Sequence, residues 1–299
     1  MTDNNLPTTI NQNEYEAFLA QHKVSQEALN GGGDFLPQLK VNYMDEAKNA
    51  DGATVELKPG LFTITTKDDV TLFAKNVKFR PLLQTYQYID YDKEADAVVN
   101  RSILFNDFSE EAIDEKGTVR CGKPPSKVLK DDPELKKAWS HVNLYRSIDG
   151  LVSGTGTDIN GQSVTIENVL CTFRGKGSNF SPFQDEYTKL LPKGSLLWDY
   201  DLTLSVTKHK QDPKSAVSYF VVHFEADFGT KVQFGVKEFE TVKELAKRVE
   251  ATNKEISGKY YKAIEDKQLS GQLDAAASAL DITPNDADLD LDLQDNSSD

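Results

Sequence analysis

Cysteine is nearly absent: Cys121 and Cys171 are the only two in 299 residues. So few thiols, far apart in sequence, imply no disulfide framework and make a reducing, cytoplasmic setting the simplest expectation. Long apolar runs are missing as well, which argues against a membrane-spanning helix and a membrane partner. No apolar export segment precedes a small-residue cleavage site near the start. Enzyme signatures are absent: there is no G-x-x-x-x-G-K-[ST], G-x-S-x-G, H-E-x-x-H or C-x-x-C. "SGTGTDING" has glycines, but no helical pattern follows it, so it reads as a β-turn loop and not a phosphate loop.

Positive charge is in deficit, with 34 Lys and Arg against 48 Asp and Glu and a formal net charge of −14. The last fifteen residues, "NDADLDLDLQDNSSD", carry six aspartates and no base, yet the rest of the chain is acidic too. A polyanion partner would therefore have to be met by a local basic patch.

The length permits one large domain or two modest ones with a sizeable core. After a loose lead-in, Tyr15, Phe18, Leu19, Val24 and Leu29 fall at helical intervals, giving an N-terminal helical segment within residues 1–30. "NGGGD" stops it. From residue 54, "TVELKPGLFTITT", "VTLFAKNVKF", "LQTYQYIDY" and "VVNRSILF" read as strands of an antiparallel meander. A second β-rich set follows in "SVTIENVLCTFRG", "LLWDYDLTLSVTKH", "SAVSYFVVHFEADF" and "TKVQFGV". Between them, about 107–160, lies a helix-and-loop insertion. Its helix is "DDPELKKAWSHV", with Asp132 capping and Pro133 in the first turn. Val242, Leu245, Val249, Ile256, Tyr260 and Ile264 place a C-terminal helix over 241–268, weakened by Gly258. Residues 269–299 turn to Ala, Asp, Ser and Asn, and no packed structure is expected there. The fold class is mainly β (α+β): a β-rich body over 31–240, shaped as an antiparallel barrel or curved sheet.

Two constellations have metal-capable groups. Cys121, His141 and Cys171 suit zinc chemically, but no two stand close in sequence, so ordinary side chains are the stronger reading. Strand alternation puts His223, Glu225 and Asp227 on one face, where a divalent cation could assist phosphodiester hydrolysis. Any half-buried strand alternates in this way, and Asp199 and Asp201 in "WDYD" share a face for the same reason. No cofactor and no metal are called for, and a non-enzymatic role is expected.

The positive signals lie in acid-free stretches. "KGTVRCGKPPSKVLK" supplies Lys116, Arg120, Lys123, Lys127 and Lys130. "CTFRGKGSNFSPF" interleaves Phe173, Arg174, Lys176, Phe180 and Phe183 with small residues. Arg80, Tyr86 and Tyr88, with the two tyrosines on one strand face, extend the set, as do Lys208, Lys210 and Lys214 of "TKHKQDPK". Cations that follow a backbone and rings that stack on bases are what a single-strand binder needs. A closed Tyr86/Tyr88 face and solvated basic turns are the alternative.

A β-rich body, basic and aromatic segments, a C-terminal helix and the acidic end "DADLDLDLQD" together resemble the single-stranded-DNA-binding proteins of bacteriophages. The resemblance implies an oligonucleotide/oligosaccharide-binding (OB) barrel that carries single-stranded DNA in the host cytoplasm during DNA replication and recombination. It also implies a tail, here Asp286, Asp288, Leu289, Asp290, Leu291, Asp292, Leu293 and Asp295, that engages replication or recombination proteins and competes with DNA for the basic groove. On a tether of about 30 residues such a polyanion acts at high effective concentration. The chain ends on "NSSD", so no terminal aromatic anchor is carried over. Self-association is left open. Two other readings stand beside this one: a protein-interaction or virion component without nucleic-acid affinity, and a metal-dependent nuclease.

Overall fold

The computed structural model describes residues 36–49, 51–190, 198–210 and 218–269. The N-terminal helical segment, Lys214 and the acidic tail lie outside the described residues. Among those described, no helix is long and apolar enough to cross a membrane.

Alternating burial builds the strands. In chain order they are β1 (Gln38–Val41), β2 (Glu46–Lys48), β3 (Thr54–Glu56), β4 (Phe62–Thr65), β5 (Thr71–Ala74), β6 (Val77–Asp92) and β7 (Ala97–Arg101). Two short helices follow, α1 (Ser126–Lys130) and α2 (Pro133–Ala138). The chain continues through β8 (Val142–Thr157), β9 (Ser163–Gly175), α3 (Pro182–Leu190), β10 (Leu202–Lys210), β11 (Ser218–Ala226) and α4 (Val236–Leu269). β2 and β3 form a separate hairpin, and the other nine strands make one sheet.

That sheet closes into a five-stranded barrel, consistent with an OB-like barrel, through the order β8, β5, β4, β1, β9 and back to β8. All of its pairings are antiparallel except the closing one, where β1 runs parallel to β9 with Leu39 opposite Phe173. β8 belongs to two systems. Its start pairs with β6, its end reaches β5 at Phe73 opposite Thr157, and its other edge pairs with β9. The barrel interior holds Leu39, Phe62, Ile64, Leu72, Ile148, Val152 and Phe173, each at most 4% exposed.

Several expectations are corrected. The insertion is shorter than 107–160, because Val142–Thr157 is strand β8. The glycines of "SGTG" belong to that strand and not to a loop: a Cβ on Gly156 would lie 2.0 Å from the Phe73 carbonyl oxygen where β5 crosses. "TKVQFGV" forms no strand; it is a connection whose Phe234 packs on Trp198, with ring centroids 4.8 Å apart. The α2 cap is as expected, since Asp132 accepts from the Leu135 amide at 2.9 Å with Pro133 following.

β11 is the outer edge of the sheet, and its backbone is paired by side chains. Asn179 donates to Phe220 O (2.9 Å) and accepts from the Val222 amide (2.7 Å), while Glu186 accepts from the Ala226 amide (3.0 Å). Such covering removes a template for edge-to-edge association. α3 seats Phe183 against Phe224 in the barrel core. α4 lays Val242 and Leu245 over Leu82, Leu83 and Trp198, which form a second core layer.

Candidate nucleic-acid interface

The interleaved stretch 171–183 shows how one pattern serves two purposes. Residues through Gly175 continue β9, so Phe173 points into the barrel at 4% exposure while Arg174 points out. A 3-10 turn at Gly177–Asn179 then delivers Phe180 and Phe183 inward, at 6% and 2% exposure. The proposed stacking rings Phe173, Phe180 and Phe183 are therefore core residues. Tyr86 and Tyr88 do share a face, but that face is closed. Tyr86 is 4% exposed beneath Phe105, Phe108 and Phe180, and the half-buried Tyr88 stacks on Phe105 with centroids 6.0 Å apart. Burial pushes the Tyr86 phenol upward.

Arg80 is likewise engaged. Its Nε donates to Asp201 Oδ1 at 3.0 Å and its Nη1 to Glu238 Oε1 at 3.4 Å, tying β6 to the start of β10 and to α4. Arg120 is half-buried in the left-handed region (φ 56°), and Lys123 donates to Val142 O at 3.2 Å. Lys116, Lys127, Lys130, Arg174, Lys176, Lys208 and Lys210 are exposed.

These exposed cations are carried by different elements. The 116–130 segment lies at the far end of β6, where Cys121 Sγ meets Tyr88 O and Lys123 meets the start of β8. Lys208 and Lys210 extend past the opposite end, because β10 meets β6 only at Val77–Phe79. The structure brings Lys176 and Lys208 into one neighbourhood: Asn179, three residues beyond Lys176, is bonded to Phe220, which pairs with Lys208 across β10 and β11. Lys176 Nζ lies 5.3 Å from the centre of the Tyr145 ring.

Tyr43 and Met44, which sequence reasoning missed, stand in that same neighbourhood at 58% and 63% exposure. Tyr43 meets the Phe220 ring edge-on, with centroids 5.1 Å apart. The buried Asn42 fixes the segment: its Nδ2 donates to Met44 O and Lys58 O, and its Oδ1 accepts from the Met44 amide at 3.1 Å. The exposed Lys58 is thereby placed next to Tyr43. The signal was available in "NYM" after a short apolar strand, but only the fold reveals that it faces water. Acids also lie close, with Glu46 opposite Glu56 in the β2–β3 hairpin and Asp45 just before it.

The metal candidates do not assemble. Cys171 is in the barrel core and Cys121 beside Tyr88 O; burial pushes both thiols strongly upward, against thiolate formation. His141 instead stacks on Trp139, with its Nε2 at 3.7 Å from Asp90 Oδ1. His223 and Glu225 are exposed on one face of β11, as the alternation predicts, with Asp227 exposed just beyond it. Among the described residues no group of three metal-capable side chains is close enough to hold an ion.

One buried charge stands out. Arg146 on β8 is 3% exposed, with its guanidinium carbon 4.5 Å from the centre of the Phe180 ring, 5.3 Å from Tyr86 and 5.9 Å from Phe183. Among the described residues its Nε and Nη1 have no hydrogen-bond partner. Burial lowers its pKa, and the neighbouring Tyr86 hydroxyl and Asp185 oppose that.

Comparison with protein-family models, with curated proteins and with solved structures finds no match.

Proposed function

We propose that this chain binds single-stranded DNA with little sequence preference, without catalysis. The binding side of its barrel would be the one that carries Tyr43, Met44, Lys58, Lys176 and Lys208. The observation that supports this reading is an exposed tyrosine, in a segment tied by Asn42, flanked by cations that form no ion pair among the described residues. Exposed rings stack on unpaired bases at about 1–3 kcal/mol each, and lysines follow the phosphates. This reading does not draw on Lys116, Lys127 and Lys130. The acidic tail, Asp286 to Asp295, competes with DNA for the cations and recruits replication or recombination proteins in the host cytoplasm.

Titration of fluorescent oligo-dT at low and raised salt tests the reading, with the full chain and with a variant ending at residue 284. Binding that weakens with salt and tightens without the tail is expected. No binding by either form at low salt would remove it. The acids Asp45, Glu46 and Glu56 beside Tyr43 favour a second reading, a protein-docking surface without nucleic-acid affinity. That reading predicts a tail-dependent pull-down from a chain that ignores oligo-dT.

A further inference from the structure

A guanidinium taken out of water needs an anion or a full set of acceptors, because solvation lost on burial is recovered only through such partners. Arg146 has neither. Three aromatic rings surround it, two of its nitrogens lack an acceptor, and Gln84 Oε1 nearby is a buried acceptor with no donor. Gln84 is part of the same group, since its Nε2 donates to the Tyr86 hydroxyl at 2.7 Å. Ring faces offset part of the missing solvation, but they supply no lone pairs in the plane of the guanidinium.

The outer wall of this cluster is thinner than the rest. Phe105, Ala112 and Phe180 are buried, whereas Tyr88, Phe108 and Leu144 are only partly so. Phe108 lies against Tyr86, with centroids 4.4 Å apart, in an exposed stretch that includes Asn106, Asp107 and Ser109. Among the described residues Phe108 meets the cluster through ring contacts, whereas Phe105 is fixed by two backbone bonds to Tyr86 (2.7 and 3.0 Å).

We infer that Arg146 and its aromatic surround form a binding site for a single nucleotide unit. Its oxyanion would meet Arg146 Nε and Nη1, and its base would stack on Phe108 and Tyr88. A nucleotide carries both parts that the site lacks: acceptor oxygens with negative charge, and a flat ring. The unit would be either a free mononucleotide or one nucleotide of a single strand, admitted when Phe108 swings outward. The inference stands apart from the single-strand reading, which places the DNA beside Tyr43.

The test is thermal unfolding of the full chain with dTMP, with thymidine, with inorganic phosphate and with oligo-dT. It is run on wild type, on Arg146→Met and on Phe108→Ala. Wild type is expected to gain several degrees with dTMP and little with thymidine. Arg146→Met is expected to fold, because an apolar side chain of similar length replaces a buried charge with two unsatisfied nitrogens, and to lose the gain. Phe108→Ala should respond to phosphate but not better to dTMP. A gain from dTMP alone identifies a free nucleotide, and equal gains from dTMP and oligo-dT identify a strand unit. Failure of dTMP to shift wild type, or equal shifts in wild type and Arg146→Met, overturns the inference. If Arg146→Met does not fold, equal dTMP responses in wild type and Phe108→Ala overturn it. Oligo-dT binding that survives in Arg146→Met leaves the single-strand reading standing whatever the dTMP result.

Discussion

Asn253 closes a two-point clamp on Leu104: its Oδ1 accepts from the Leu104 amide and its Nδ2 donates to the Leu104 carbonyl, both at 2.7 Å. The two residues are 149 apart in sequence, so the clamp fixes α4 to the chain that follows β7. Asn42 and Asn179 act in the same way elsewhere, Asn42 matching one side-chain amide to a donor and an acceptor of irregular backbone and Asn179 to those of the β11 edge. Asn253→Ala leaves both Leu104 groups unpaired in a partly buried place, and a loss of about 2 kcal/mol is expected. Urea unfolding measures it, and a change under about 0.5 kcal/mol would show that water replaces the clamp.

Gly258 lies within α4, and a Cβ added there meets nothing within 4 Å. Its backbone is not in the left-handed region, so alanine fits without strain. Gly258→Ala is expected to stabilise the protein by about 0.5–1 kcal/mol, chiefly by restricting the unfolded chain. A raised thermal midpoint with unchanged oligo-dT affinity is the expected result.

Asp149 supplies a pH dependence. Burial raises its carboxyl above the usual range, opposed by the Thr172 hydroxyl and by Arg248 and Arg174. The folded chain therefore keeps this proton to higher pH than the unfolded chain does. The resulting stability is fully present below the unfolded value, about 3.9, and is lost as pH rises through the folded one. Asp149→Asn removes the penalty. The variant and wild type should match near pH 3, and the variant should become the more stable on the order of 1 kcal/mol towards neutrality. Urea titrations across that range check the sign; a variant less stable at pH 7 would mean that the two arginines outweigh burial.

Period-two alternation made most strands legible, including Ser163–Gly175 and Ser218–Ala226. β1 was not legible. Four residues, "QLKV", carry no strong pattern, and they become a strand because β4 and the distant β9 offer edges to pair with. β6 was read as parts of two separate strands, and β8 was missed, its residues falling in the expected insertion. A sixteen-residue strand crosses two environments, barrel interior and insertion, and its pattern changes between them. The site was less legible still. Phe173 next to Arg174 reads equally as a stacking loop and as a strand with one buried face, and burial is a tertiary property. Tyr43 showed the converse: nothing local announces that a tyrosine after a short strand remains in water.

Phe183 and Tyr43 separate the two meanings of an aromatic residue here. Phe183, at 2% exposure, packs on Phe224 with centroids 5.3 Å apart, whereas Tyr43 is 58% exposed. Phe183→Ala should cost about 3–5 kcal/mol through the cavity it opens. The milder Phe183→Leu, costing roughly 1–1.5 kcal/mol, should stay folded and bind oligo-dT as wild type does. Tyr43→Ala should leave the thermal midpoint within about a degree, since it exposes little that was buried, yet weaken oligo-dT by about 1–3 kcal/mol if its face stacks on a base. Fluorescence titration paired with thermal unfolding reads both quantities on the same samples. The opposite pattern, with binding lost in a folded Phe183→Leu and kept in Tyr43→Ala, would move the DNA path from the Tyr43 side of the barrel to the α3 side.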